Sequence, residues 1–151
     1  ADGVAHASAS PPKLPLGTPD LIIDMATLTG AQMVATGQRH AGIMANNDEV
    51  ERTAVLAGRR SGDLVHPLPY CPEFYRAEFK SEVADLKNSV KDRGNAQASC
   101  AGTFIGEHLH PDYQGGWLHC DMAGPADAKE RGTGYGVALV LALLEIDGFA
   151  A

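Results

Sequence analysis

The sequence is poor in several features that would each define a class of protein. It has only three cysteines, Cys71, Cys100 and Cys120, set far apart. An odd count without close spacing is not a disulfide framework, and a reducing compartment is the simpler setting. Long hydrophobic runs are missing. The longest, Val137 to Leu144, falls far below the roughly 20 residues that span a bilayer. No basic stretch precedes an apolar one near Ala1, so no signal peptide is read there. Net charge is −7 with the basic residues scattered, and the basic stripe that nucleic-acid binding requires is absent. There is no G-x-S-x-G elbow to present a nucleophile and no P-loop lysine.

What is present suffices for one ordinary domain. The 151 residues are 44% apolar, enough for a core. The opening "ADGVAHASAS" is Ala-rich and reads as the end of a helix, in a chain entered partway through a domain or trimmed at its N-terminus. Prolines 11, 12, 15 and 19 make residues 11 to 20 a loop. Leu21 to Ala26 follows as a strand whose apolar residues are consecutive, the pattern of a strand covered on both faces. "GIMAN" (42–46) reads as a second strand. Asn46 or Asn47 then caps a helix with acids in its first turn and Arg59 and Arg60 near its end, beside Gly58.

Beyond it, "GDLVHPLPYCPEFY" predicts a short strand breaking into a loop, with a helical turn near Glu78 to Val83. A polar loop starts at Val83. "ASCAGTFIGEHL" has helical spacing, "GGWLHCDMAG" reads as a strand, and "VALVLALLEI" as a helix apolar on most sides, hence buried in a core or subunit interface. Strands alternate with helices, which argues α/β layers.

Four groupings invite chemistry. "HLHPD" (108–112) holds two histidines, but at a helix end residues i and i+2 point apart, so a polar helix end is the better reading than a metal site. In "HCD" (119–121) only His119 and Asp121 share a strand face. Two ligands are too few for zinc, and burial with hydrogen bonding is preferred. "GTGYG" (132–136) could cradle an anion, although a tight turn is the simpler account. Asp85 and Lys87 read as a solvated or salt-bridged pair. The end of the first strand is more specific: "DLIIDMATLTGAQ" (20–32) closes on Thr27, Leu28, Thr29 and Gly30, where backbone groups leave the ladder and can meet a ligand.

That stretch resembles the M17 leucyl aminopeptidase family. So, in order, do "SGDLVHPLP", "SEVADLKNS", "ASCAGTFIGEHL", "GWLHCDMAGPA" and "GTGYGV", while "ADGV" resembles the text following the family signature NTDAEGR. "AGRRSGDLVHPLPYCPEF" and "DLKNSVKDRGNAQASCAG" look closest to an animal branch of aminopeptidase-like proteins. The resemblance implies a three-layer α/β/α sandwich with a mixed, mainly parallel sheet, and a chain, residues 1–151, that is the C-terminal portion of one catalytic domain. It implies a cytoplasmic exopeptidase that removes leucine-like N-terminal residues from peptides, uses two divalent metals (zinc, with manganese or magnesium tolerated) and a bicarbonate, and assembles as a homohexamer. It also implies that the metal ligands and the catalytic lysine and arginine lie in upstream motifs absent here, so that this chain has no catalytic or metal residue. Asp24 and Asp121 do not map onto the ligands. Thr27, Leu28 and Gly30 match the loop that contacts substrate and bicarbonate, through the Leu28 carbonyl and Gly30 amide, and Ala123 and Ala126 match the opposite pocket wall. The alternative is a non-catalytic scaffold or interaction domain of a degenerate paralogue.

Overall fold

The computed structural model describes residues 1–145. Short helix α1 (Asp2–Ala7) leads through the proline-rich loop to β1 (Leu21–Ala26), with the bounds the apolar run predicts. Then follow α2 (Gly30–Thr36), β2 (Ala41–Ala45), α3 (Asp48–Ser61) and β3 (Val65–Pro67). A single turn of helix, α4 (Pro72–Tyr75), runs into a 3-10 turn at Arg76–Phe79. The chain continues with α5 (Gln97–Gly106), β4 (Gly116–Asp121), a two-stranded ribbon of β5 (Asp127–Ala128) and β6 (Arg131–Gly132), and α6 (Val137–Leu143).

The main sheet has the order β1-β4-β2-β3, with β1–β4 and β2–β3 parallel and β2–β4 antiparallel. Strand alternation divides its residues between two cores. Ile43, Leu118 and Cys120 pack with Ala54 and Ala57 of α3 and Leu139 of α6 on one face. Ile22 and Trp117 pack with Val4 of α1 and Ile105 of α5 on the other. Helices on both faces of a mixed sheet form the expected α/β/α sandwich.

Helix α5 approaches the sheet closely because its inward face is nearly bare. A Cβ at Gly102 would lie about 2.2 Å from Met44 Cε, and one at Gly106 about 3.1 Å from the Trp117 ring. On the opposite layer, Asn47 caps α3 by accepting from the Val50 amide, and Gly62, at φ +82°, ends it.

Two local expectations differ from the structure. The helical turn read at Glu78 to Val83 lies earlier, at 72–79, because Pro72 is well placed at a helix start. The residues after Thr29 are helical, not loop. Helix α6 buries Leu139, Ala142 and Leu143 in the core, as its apolar run predicts, and leaves Val137 65% exposed on its outer side. The Ile146 end of the predicted "VALVLALLEI" helix lies outside the described residues.

Candidate active-site wall

Parallel pairing of β1 and β4 decides where the candidate residues meet. The two strands run in register from Leu21↔Gly116 to Ala26↔Asp121, so both end at the same edge of the sheet. Thr27, Leu28 and Gly30 leave one strand end and Ala123 and Ala126 leave the other, side by side.

Asp121 ties the two exits together. Its side chain is fully buried. Oδ1 accepts from the amides of Leu28 (3.0 Å), Thr29 (3.4 Å) and Ala123 (3.3 Å), and Oδ2 accepts from the Thr29 hydroxyl (2.7 Å). Thr29 Oγ1 in turn accepts from the Gln32 amide at 3.0 Å and caps α2. Thr29 is therefore occupied with structure. Sequence reasoning placed Asp121 on a strand but missed this role. The only signal was a carboxylate at the end of an apolar strand.

Gln32 makes the second tie. Fully buried, it donates through Nε2 to Thr36 Oγ1 and to the carbonyls of Gly37 and His40, while Oε1 accepts from the Gly124 amide at 2.7 Å. A Cβ on Gly124 would come within 2.4 Å of the Gly37 carbonyl, so the exits of α2 and β4 touch backbone to backbone.

Between these ties some backbone is left free. Gly30 is the first residue of α2, and its amide has no acceptor within the helix. The Leu28 carbonyl accepts no hydrogen bond among the described residues. Leu28 is 39% exposed, and Leu28 and Gly30 line a cleft of about 700 Å³ against the 88–93 loop. Ala123 lines a separate cleft of about 950 Å³, bordered by the ribbon and α6. Thr27 is exposed and Ala126 half-buried, and neither lines either cleft.

Below the turn lies a buried polar network. Trp117 Nε1–H donates to Asp24 Oδ2 at 2.8 Å, and His119 Nδ1–H to Asp24 Oδ1 at 2.5 Å. An ionised carboxylate only accepts, which places the imidazole proton on Nδ1. His119 is fully buried and its Nε2 has no partner. This matches the expectation of burial and hydrogen bonding for "HCD".

The other groupings resolve likewise. His108 Nδ1 contacts the Phe104 carbonyl at 2.7 Å just past α5, and His110 turns to the Asp112 amide. In "GTGYG", Gly134 and Gly136 have positive φ, and Asp63 accepts from the Gly136 and Leu139 amides at 2.9 and 3.2 Å. The anion at the start of α6 is the chain's own carboxylate.

Metal binding was tested on the donors present. Asp24 and Asp121 have both oxygens engaged internally, and no group of three or more His, Cys, Asp or Glu among the described residues could hold an ion. The donor set of this segment does not fit a metal centre.

A mixed sheet between helical layers, with free backbone groups where two parallel strands end together, defines an α/β domain of the kind that binds ligands at strand C-termini. Comparison with known proteins gives the particular family. The chain belongs to the cytosol aminopeptidase family, peptidase M17, whose catalytic-domain model matches residues 1–141. It is 56% identical over 143 residues to "Probable aminopeptidase NPEPL1" of Mus musculus, across 95% of this chain and 26% of that protein. Leucine aminopeptidase 1 of Caenorhabditis elegans is 44% identical over 124 residues, across 82% of this chain and 25% of that protein. Among solved structures, the apo leucyl aminopeptidase of Trypanosoma cruzi superposes with a TM-score of 0.88 at 49% identity, covering 96% of this chain and 28% of that one. The Trypanosoma brucei enzyme in complex with bestatin gives 0.88 at 46%, covering 95% and 27%. The chain thus spans about a quarter of the length of the curated relatives it matches.

Proposed function

We propose that this chain is the C-terminal portion of an M17 catalytic domain, and that the whole protein is a metallo-aminopeptidase releasing leucine-like N-terminal residues from peptides. The observation that carries this reading is the turn at Leu28 to Gly30. It has an unpaired carbonyl and amide, held at a strand end by Asp121, in a chain of the M17 family.

The geometry of the turn supports a role for its free backbone groups. The Leu28 carbonyl can accept from a peptide amide and the Gly30 amide can donate to a carbonyl or to a bicarbonate. Thr27, Ala123 and Ala126 are proposed as further parts of the substrate wall on the family resemblance alone, because none of them lines the Leu28–Gly30 cleft in this segment. Small side chains at 123 and 126 leave volume for an aliphatic group, though one methylene is worth only about 1–3 kcal/mol of discrimination. Asp121 and Asp63 accept from backbone amides and Asp24 from Trp117 and His119, which supports a segment that binds no metal itself. The metals, zinc or manganese or magnesium, are proposed to be held by residues outside this chain. Further parts of the proposal are a cytoplasmic setting and a homohexameric assembly. Among the described residues no helix is long and apolar enough to cross a membrane.

The test is turnover of leucyl-anilide by the full-length protein with and without chelator, beside a Gly30→Val variant. A Cβ at Gly30 meets nothing within 4 Å in this segment, so the variant should fold. It should lose most of its kcat/KM while keeping its assembly state. Unchanged kinetics would remove Gly30 from the substrate wall, and no turnover by the metal-loaded wild type would remove the aminopeptidase reading.

A further inference from the structure

The cleft beside Leu28 and Gly30 has an uneven chemistry. Phe79, Phe104 and Ile105 give it apolar lining, and its neutral polar residues are Thr29, Asn88, Ser89 and Gln97. Arg93 is the one charged residue among those lining it.

Arg93 is exposed, and among the described residues its guanidinium enters no ion pair or hydrogen bond. Its neighbours explain why. Glu78, which anchors this loop, is spent on it: its carboxylate accepts from the Lys91 and Asp92 amides (2.6 and 3.0 Å) and from Asn95 Nδ2 (3.0 Å). Those bonds hold its carboxyl below the ordinary glutamate range, the Asn95 contact first. Asp92 turns to the Gly94 amide at 2.8 Å. By contrast Arg76, outside the cleft, is neutralised by Glu107 at 2.8 Å. The loop is thus anchored by carboxylates that leave the Arg93 guanidinium without a partner among the described residues, beside the Leu28–Gly30 turn.

We propose that Arg93 is a specificity-determining residue, and that this cleft favours peptides carrying a carboxylate just beyond the cleaved bond. The inference rests on the aminopeptidase reading above. A guanidinium presents planar paired donors that match a carboxylate, while the apolar lining accommodates the intervening carbons. The carboxylate has two sources, the C-terminus of a dipeptide or an acidic second side chain.

The experiment compares kcat/KM in the metal-loaded full-length protein for Leu-Gly against Leu-Gly-amide, and for Leu-Glu-amide against Leu-Gln-amide. The wild type should prefer the acid member of at least one pair by about tenfold, the scale of one charge-assisted hydrogen bond. The pair showing the preference identifies the source. Arg93→Gln should erase that ratio, and Arg93→Lys should restore part of it. Acid and amide turned over alike by the wild type, or a preference surviving Arg93→Gln, overturns the proposal. Should no leucyl substrate be turned over, the aminopeptidase reading fails by itself. Calorimetric binding of Leu-Gly and Leu-Gly-amide, with the same Arg93→Gln comparison, then decides the role of Arg93.

Discussion

Asp121 shows how one residue can be essential to a site without touching a ligand. Its carboxylate collects three amides and a hydroxyl from two strand exits in a place closed to water. Asp121→Ala leaves those donors without their acceptor, and the loss should cost about 3 kcal/mol. Asp121→Asn keeps one carbonyl oxygen and should cost roughly half of that. Urea unfolding followed through the fluorescence of Trp117, the one tryptophan and fully buried, measures both. A stability equal to wild type in Asp121→Ala would show that the turn holds itself. Asp24 carries a comparable burden. Removing it strands Trp117 Nε1 and His119 Nδ1 below the sheet, with an expected loss of about 3 kcal/mol.

At the scale of elements, α6 depends on a neighbour for its start. Among the described bonds, its Gly136 cap uses no side chain of its own, and Asp63, just after α3, supplies the acceptor. Asp63→Ala should destabilise the fold by about 1 kcal/mol, the usual worth of an N-cap. Hydrogen exchange should show the effect concentrated in α6. Uniform loss of protection would mean that α6 does not open separately. The cysteines report on the same layers. Cys71 is half-buried, while Cys100 and Cys120 are fully buried in the helix and strand that form the two cores. A thiol reagent should label Cys71 in the native state and the other two only on unfolding. Mass spectrometry of the modified peptides gives the order.

For the whole molecule, burial sets the alkaline limit. Desolvation, aided by Asp121, Asp24 and Asp63, pushes the Cys120 thiol from 9.0 up to about 12. Burial, and then the Glu107 charge, pushes the Tyr70 hydroxyl from 10.0 up to about 12. Both groups keep their protons longer in the native chain than in the unfolded one. Their contribution is therefore complete below pH 9 and is lost progressively between about 9 and 12, as the unfolded state releases protons that the native state retains. Stability measured from pH 8 to 11 should fall, and Cys120→Ser should flatten part of the slope. At the same scale, the isolated 151-residue chain should take up no stoichiometric zinc, because Asp24 and Asp121 are engaged internally and no three-ligand cluster occurs among the described residues. Elemental analysis showing about two tightly bound ions per chain would place the metal ligands here after all.

Much of this was legible along the chain, because some physics is local. The apolar run of β1, the Asn47 cap with acids behind it, and the prolines of the 11–20 loop each act on near neighbours, and the structure places all three as read. The M17 motifs in order were enough to indicate the family, which the comparisons show. Other features were hidden because they depend on distant partners. Nothing near Asp121 in sequence reveals that it meets Leu28 and Thr29, which are more than ninety positions away. Nothing around Gln32 announces the Gly124 amide, and nothing in "GTGYG" shows that its anion is Asp63. Residue type and spacing alone were enough for β1, β2 and β4 and for the cap of α3, and the kind of chemistry to look for came from the family resemblance. Only the tertiary structure decided that β1 and β4 run parallel and in register. That pairing brings two loops to one edge, engages the carboxylates that could have suggested a metal site, and leaves the Leu28 carbonyl and the Gly30 amide without partners among the described residues.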